Sequence, residues 1–194
     1  MSTASSAVLS VDTGIPSNKL GMWLFLVSEV MFFTAMVAAY LVLRLSHPAW
    51  PGAEGHLSVT LGTFNTFVLL CSSMTMVLAH AAVQRNEQGA LRVNLALTVL
   101  LGSAFLGIKG YEYSVKFAHH ITPTTNIFWS CYFTLTGFHA LHVLGGVLAN
   151  LWFLMRAVQG RLTPARGYGV ELAGLYWHFV DIVWLFVFPL VYLL

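Results

Sequence analysis

The stretch GLYWHFVDIVWLFVFPLVYLL, residues 174–194, decides the fold, because Asp181 is its only formally charged residue. An α-helix rises about 1.5 Å per residue, so a run of this length crosses the roughly 30 Å hydrocarbon core of a bilayer. Hydrocarbon offers no partner to open backbone groups, and a helix closes all of them internally. The alternating ten-residue strands of a membrane barrel are absent from the sequence.

Working outward, four more runs of the same kind precede it. The predicted spans are about 20–43, 59–83, 93–115, 126–155 and 170–194, with the third the most polar and the fourth long enough to tilt. The composition agrees. Of the 194 residues 58% are hydrophobic and 8% charged, against about 25% charged in soluble domains. So few charges exclude an ordinary soluble enzyme and a disordered chain. Nine Lys and Arg against seven Asp and Glu, with no basic block, give no footprint for nucleic acid. The predicted fold class is an all-α integral membrane protein, a five-transmembrane-helix bundle. Its domains are a flexible N-terminal segment, 1–18, and a five-helix transmembrane domain, 19–194.

Turn chemistry separates the spans. Ser46 to Gly52 holds two prolines, Arg85 to Gly89 is a short polar turn, and Asn126 is placed to cap span four. Gly160, Pro164, Gly167 and Gly169 punctuate the link to span five. No basic segment opens the chain, and the first apolar run is too long for the core of a signal peptide. Lys19, Arg85, Arg92, Arg156, Arg161 and Arg166 fall on one side, and Arg44 and Lys116 on the other. That asymmetry predicts a cytoplasmic N-terminus, an outside C-terminus and a bacterial inner membrane.

Ionisable residues in hydrocarbon cost about 3 kcal/mol on insertion scales, so function is sought among them. Glu29 lies about 14 Å from the cytoplasmic end of its span, and His178 and Asp181 at about 12 and 16 Å. His139 falls in the same zone, so Glu29, His139, His178 and Asp181 are expected to share one layer. His139 and His142 are three residues apart, as are His178 and Asp181, and such pairs share a helix face. Glu171 begins span five at the inner edge, while Glu112 and Lys109 lie near the outer edge. The layer reads as an interhelical hydrogen-bond network, with a metal or proton site as the competing reading. No Glu-x-x-His signature is present. A neutral carboxyl costs far less in hydrocarbon than an ionised one, so Glu29 is expected to be protonated and open to a hydrophobic carbodiimide.

Trp23, Trp129, Trp177 and Tyr192 read as an interfacial belt, and Trp152 and Trp184 as packing against lipid or a neighbouring helix. Ala140, Gly145 and Gly146 suit close helix approach. Cys71 and Cys131 differ in depth by about 11 Å, too far for a disulfide, and read as packing residues.

In order along the chain, several motifs resemble cytochrome oxidase subunit III. They are Ser28-Glu29 with Phe32-Phe33, Asn65-Thr66 with Ser72-Ser73, Glu112-Tyr113, Thr136 to Val143 (TGFHALHV), and Tyr176 to Trp184 (YWHFVDIVW). The agreement runs from about Asn18 to the C-terminus, and the last two stretches are the most specific. Mitochondrial-type members have seven helices, and this chain is similar to the short five-helix bacterial form.

The resemblance implies a non-catalytic accessory subunit of a proton-translocating haem-copper terminal oxidase. Its implied partners are the catalytic haem-copper subunit I, the copper-binding subunit II, a further small membrane subunit over the face left by the two missing helices, and phospholipids. It implies haem and copper in those partners and none in this chain, and a role in stabilising the catalytic subunit, binding lipid and supporting proton uptake. Independently, a copper relay needs paired thiolates, and the sequence has no such pair. Carried over residue by residue, Glu29 is the buried helix carboxylate. His139, His142, Glu171, His178, Asp181 and Glu112 are interhelical polar or lipid-associated residues, and Arg156, Arg161 and Arg166 are cytoplasmic basic residues. No catalytic, cofactor-binding or metal-ligating residue is expected. Glu29 and the closing motif favour cytochrome c as donor. A quinol oxidase or a nitric oxide reductase-associated homologue is the alternative within the class. A small proton-coupled transporter is the rival outside it, and it predicts inverted repeats and broken helices.

Overall fold

The computed structural model describes residues 17–52, 57–164 and 167–194. They form five helices: α1 (Ser17–Ser46), α2 (Val59–Gln84), α3 (Gln88–Ala118), α4 (Ile127–Val158) and α5 (Tyr168–Phe188). One wider π-type turn, Pro189–Leu193, continues α5. Each of the five is long and apolar enough to cross a membrane. The flexible segment predicted for 1–18 falls on residues outside the description, except that Ser17 and Asn18 already belong to α1.

Local chemistry sets the ends. Ser58 caps α2 by accepting the Leu61 N–H at 3.3 Å, and Asn126 caps α4 by accepting that of Trp129 at 2.9 Å. Three helices end alike, with a left-handed residue: Asn86 (φ 58°), His120 (φ 58°) and Gly160 (φ 66°). In each case the next amide reaches back into the last turn, Glu87 to Ala82, Ile121 to Lys116 and Arg161 to Arg156, at 2.9–3.0 Å. This is the Schellman closure, which satisfies carbonyls that a helix end leaves open.

Cross-links at the two ends show that successive helices alternate in direction. At one end Lys19 Nζ meets Glu171 at 2.6 Å, Gln88 Nε2 meets the Leu162 carbonyl at 2.8 Å, and Arg92 Nε meets that of Ala157 at 3.1 Å. At the other end the Tyr40 hydroxyl donates to Leu190 O at 2.9 Å, and Arg44 donates to the Tyr40 hydroxyl and to Leu194 O. These are called the Lys19 end and the Arg44 end below.

Helices α2 to α5 make the core, and α1 lies against α4 and α5. Only Leu26, Phe33 and Tyr40 of α1 are buried. They stand seven residues apart on one narrow stripe, flanked by the partly buried Met22, Met36, Val37 and Leu41, and most of the rest of α1 is exposed. The core is organised around α5. Trp177 is fully buried and donates its indole N–H to Ser72 Oγ at 3.1 Å. Its ring enters a notch made by Gly102 of α3 and Gly146 of α4. Trp184, also buried, donates to Thr66 Oγ1 at 2.9 Å. Leu24, Phe67, Leu100, Leu141 and Phe186 are exposed, as apolar side chains facing lipid should be.

The aromatic belt is corrected in part. Trp23 is half exposed, but Trp129, Trp177 and Tyr192 are buried within the bundle. The helix holding Trp177 starts at Tyr168, which puts the indole about 14 Å deep, beyond the headgroup level where belts form.

Candidate functional site: polar groups inside the bundle

The largest polar cluster sits at the Arg44 end, around Glu112. Positions 109, 112 and 116 lie on one stripe of α3. Lys109 Nζ approaches Glu112 Oε2 at 3.0 Å, and Lys116 Nζ approaches Oε1 at 2.8 Å. From α4, the Tyr132 hydroxyl donates to Oε1 at 3.0 Å. From the π-type turn, the Tyr192 hydroxyl stands 2.7 and 2.9 Å from the two oxygens and accepts from Lys109. The Lys109 ammonium lies 4.7 Å from the Trp184 ring centroid and that of Lys116 lies 4.8 Å from Tyr132, so the ring faces share the two positive charges. All three charged residues are at most 6% exposed.

Glu29 is paired across helices. Its Oε2 lies 2.9 Å from His142 Nε2 on α4, and both side chains are about one-fifth exposed. Phe33 packs edge-on against the His142 ring, with Phe32 and Phe138 beside it. His142 Nδ1 lies 2.8 Å from the carbonyl of Phe138. A carbonyl only accepts, so Nδ1 carries a proton. A single proton therefore lies between Nε2 and Oε2, whether the pair is neutral or ionic. A lipid-soluble carbodiimide, which needs a carboxyl proton, is expected to label Glu29. Mass mapping should show that label lost in Glu29→Gln; labelling unchanged by the substitution would disprove the assignment.

The shared layer expected of Glu29, His139, His178 and Asp181 does not form as a hydrogen-bonded network. Glu29 turns to His142. His139 is fully buried, stacked 4.9 Å from Trp184 and edge-on to Phe105, and neither ring nitrogen has a hydrogen-bond partner among the described residues. The two histidines of α4 thus serve different neighbours. His178 Nδ1 lies 2.6 Å from Ser73 Oγ on α2. Asp181 is 4% exposed. Neither of its carboxyl oxygens has a hydrogen-bond partner among the described residues.

Nearer the Lys19 end, Glu171 holds Lys19 of α1. A groove of about 220 Å³ between α2 and α5 is lined there by His80, Glu171 and His178 among Met76, Val77 and Leu175. Arg156 lies over the Trp152 ring at 4.7 Å, Arg161 is exposed, and Arg166 lies outside the described residues. Two apolar grooves flank α1. One of about 250 Å³ runs along α5 past Phe33, Val37, Phe179 and Val183, and one of about 290 Å³ runs along α4 past Met36, Tyr40, Ile127 and Cys131. Among the described residues, no three of His, Cys, Asp and Glu stand together as a metal site.

The sequence placed Lys109 with Glu112 near the outer edge, as the structure has it, but Lys116, Tyr132 and Tyr192 were missed as members of the polar interior. The 109-112-116 spacing was the available signal. The two tyrosines had none, because each comes from a different helix.

Fold and interior together define a multi-span helical membrane protein, with ion pairs both within α3 and between helices and with largely apolar outer faces. Residues 4–194 match the cytochrome c oxidase subunit III family, and the chain belongs to that family. It is 43% identical over 185 residues to cytochrome c oxidase subunit 3 of Synechocystis sp., covering 93% of this chain and 78% of that protein. To the subunit 3 of Bacillus subtilis it is 36% identical over 180 residues, covering 91% and 86%. To that of the fungus Pyricularia grisea it is 39% identical over 192 residues, covering 95% and 69%.

Proposed function

We propose that the chain is a non-catalytic subunit of a proton-translocating haem-copper terminal oxidase, which passes electrons from cytochrome c to oxygen. The observation that carries this reading is the family match across residues 4–194, supported by relatives named as subunit 3 of cytochrome c oxidase. The chain sits in a bacterial cytoplasmic membrane with the Lys19 end inside, the orientation its basic residues favour. It packs beside catalytic subunit I and copper-binding subunit II, which hold the haem and copper, and a further small membrane subunit covers part of its outer face.

Its own residues stabilise and position. The Glu112 cluster ties α3, α4 and the end of α5 together. Lys19–Glu171, Glu29–His142 and Tyr40–Leu190 pin α1, which buries little of itself. The grooves on either side of α1 take phospholipid acyl chains. Arg156, Arg161 and Arg166 attract anionic headgroups at about 1 kcal/mol each. The subunit also supports proton uptake by its partner. The transporter reading loses ground, because α1 to α4 run unbroken and the one π-type turn lies at the end of α5 rather than at mid-membrane.

The test is affinity purification through this chain in mild detergent. Haem absorbance and oxygen consumption with reduced cytochrome c are expected to copurify. Deleting the chain is expected to leave the haem spectrum intact and to shorten the number of turnovers before the oxidase inactivates. Purification free of haem, or unchanged turnover lifetime in the deletion, would reject the reading.

A further inference from the structure

We infer that the Lys19–Glu171 ion pair is a latch that holds the first turns of α1 against α5, where Phe25 and Tyr176 form a lid over the Glu29–His142 pair. When the latch parts, that pair meets the aqueous face at the Lys19 end. The inference rests on how α1 is held and not on the oxidase reading.

The two halves of α1 are held unequally. From Ser17 to Phe25 no residue is buried, and only Lys19 and Met22 are partly so. The other half carries Phe33 and Tyr40, 4% and 2% exposed, and is tied to the end of α5 through Tyr40 and Arg44. Lipid tails are as apolar as leucine, so packing and polar contacts decide whether one helix stays on another. The first turns reach α5 through Lys19 Nζ, 2.6 Å from Glu171 Oε1, and through Phe25, whose ring centroid lies 6.0 Å from that of Tyr176. The side chains of Lys19 and Glu171 are 36% and 27% exposed. Water and salt weaken such a pair, and a segment with so little buried is the first to part.

The lid follows from the same contacts. Phe25 stands one helical turn before Glu29, on the side towards Lys19. Tyr176, which it covers, donates its hydroxyl proton to the His142 carbonyl at 3.0 Å, and His142 Nε2 is 2.9 Å from Glu29 Oε2. The two rings therefore stand between the Glu29–His142 pair and Glu171. On the far side Phe32 and Phe33 pack on the His142 ring. Raising the first turns takes Phe25 off Tyr176 and opens the seam from Glu171 to Glu29. The approach from the bilayer, past the exposed rings of Phe32 and Phe138, is a separate one and stays as it is.

Two carbodiimides read the two approaches, on the complex purified through this chain and placed in lipid nanodiscs. A water-soluble reagent reaches Glu29 from the aqueous face and a lipid-soluble one from the bilayer. Lys19→Gln and Glu171→Gln are each expected to speed water-soluble labelling of Glu29 by about two- to fivefold, the scale of one partly exposed ion pair, and to leave lipid-soluble labelling unchanged. Salt at about 1 M, where charges are screened beyond about 3 Å, should do the same to the wild type and add little to either variant. Lys19→Glu combined with Glu171→Lys should restore the wild-type rate. Phe25→Ala removes the lid and should label fast with or without salt. Peptide mapping assigns the label to Glu29 and separates it from Glu171. Water-soluble labelling unmoved by salt and by both Gln variants overturns the latch, as does a rise with both reagents alike, which marks a bundle loosened as a whole. A wild type labelled as fast as Phe25→Ala overturns the lid. Should the variants fail to assemble, the salt response of the wild type carries the test. Copurification of haem bears on the proposed function and not on the latch.

Discussion

Glu112→Gln is expected to destabilise the bundle by about 3–5 kcal/mol, the range for removing one partner of a buried ion pair. The cluster holds two ammonium groups and one carboxylate, all nearly inaccessible. Glutamine keeps the volume and one acceptor oxygen but removes the only negative charge, and two positive charges then face each other in a low dielectric. The two lysines do not suffer equally. Lys116 is two residues from the end of α3 and can extend towards the headgroups. Lys109 is a further two turns in, among the rings of Trp184, Tyr192 and Tyr132, with no such exit. Adding Lys109→Met to Glu112→Gln should therefore recover most of the loss, while Lys109→Met alone, which removes the excess charge, should cost much less than Glu112→Gln. Thermal unfolding of the detergent-purified complex measures all three, with Tyr111→Phe on the exposed face of α3 as reference. If Glu112→Gln melts with the reference, the carboxylate is not what holds this end together.

The contrast between Glu112 and the expected mid-membrane layer shows what a linear reading can reach. The five spans were legible because hydropathy and length are properties of each segment alone. The Asn126 cap was legible because a cap contacts its own first turn. Depth along a helix was legible too, and Glu112 does lie near one end. Pairing was not. His139 and His142 are three residues apart, which is a turn of about 60° around the helix axis. That offset is small on paper, yet it sends one ring into the core against Trp184 and the other to Glu29 on α1. Which of the two meets a carboxylate depends on where α1 crosses α4, and no local pattern records that. Tyr192 reaches the cluster from the π-type turn after Phe188. Pro189 marks the place without specifying the turn.

Gly146→Ala and Gly102→Ala are each expected to cost about 1–3 kcal/mol, the range for overpacking a filled core, although alanine is the better helix former. A Cβ on Gly146 would lie 2.6 Å from Trp177 Cε3 and 2.7 Å from Cζ3; one on Gly102 would lie 2.6 Å from Cη2 and 2.8 Å from Val147 Cγ2. These contacts meet a rigid ring, not the loose end of a flexible chain. The ring cannot swing aside freely, because its N–H is held by Ser72 and its two edges touch two different helices. Either substitution must push α5 off α3 or α4, and α5 carries Tyr192 into the Glu112 cluster. The two effects should combine to less than their sum, since the first displacement of Trp177 makes room for the second. Gly107 and Gly110, on α3 with open space where a Cβ would stand, give the opposite sign. Alanine there should stabilise by up to about 1 kcal/mol through helix propensity alone. Thermal unfolding of the four single variants and the Gly102/Gly146 double decides the matter. Responses of opposite sign at the two pairs of sites fit a Trp177 wedge, and uniform stabilisation at all four would mean that the helices have freedom to slide and no notch exists.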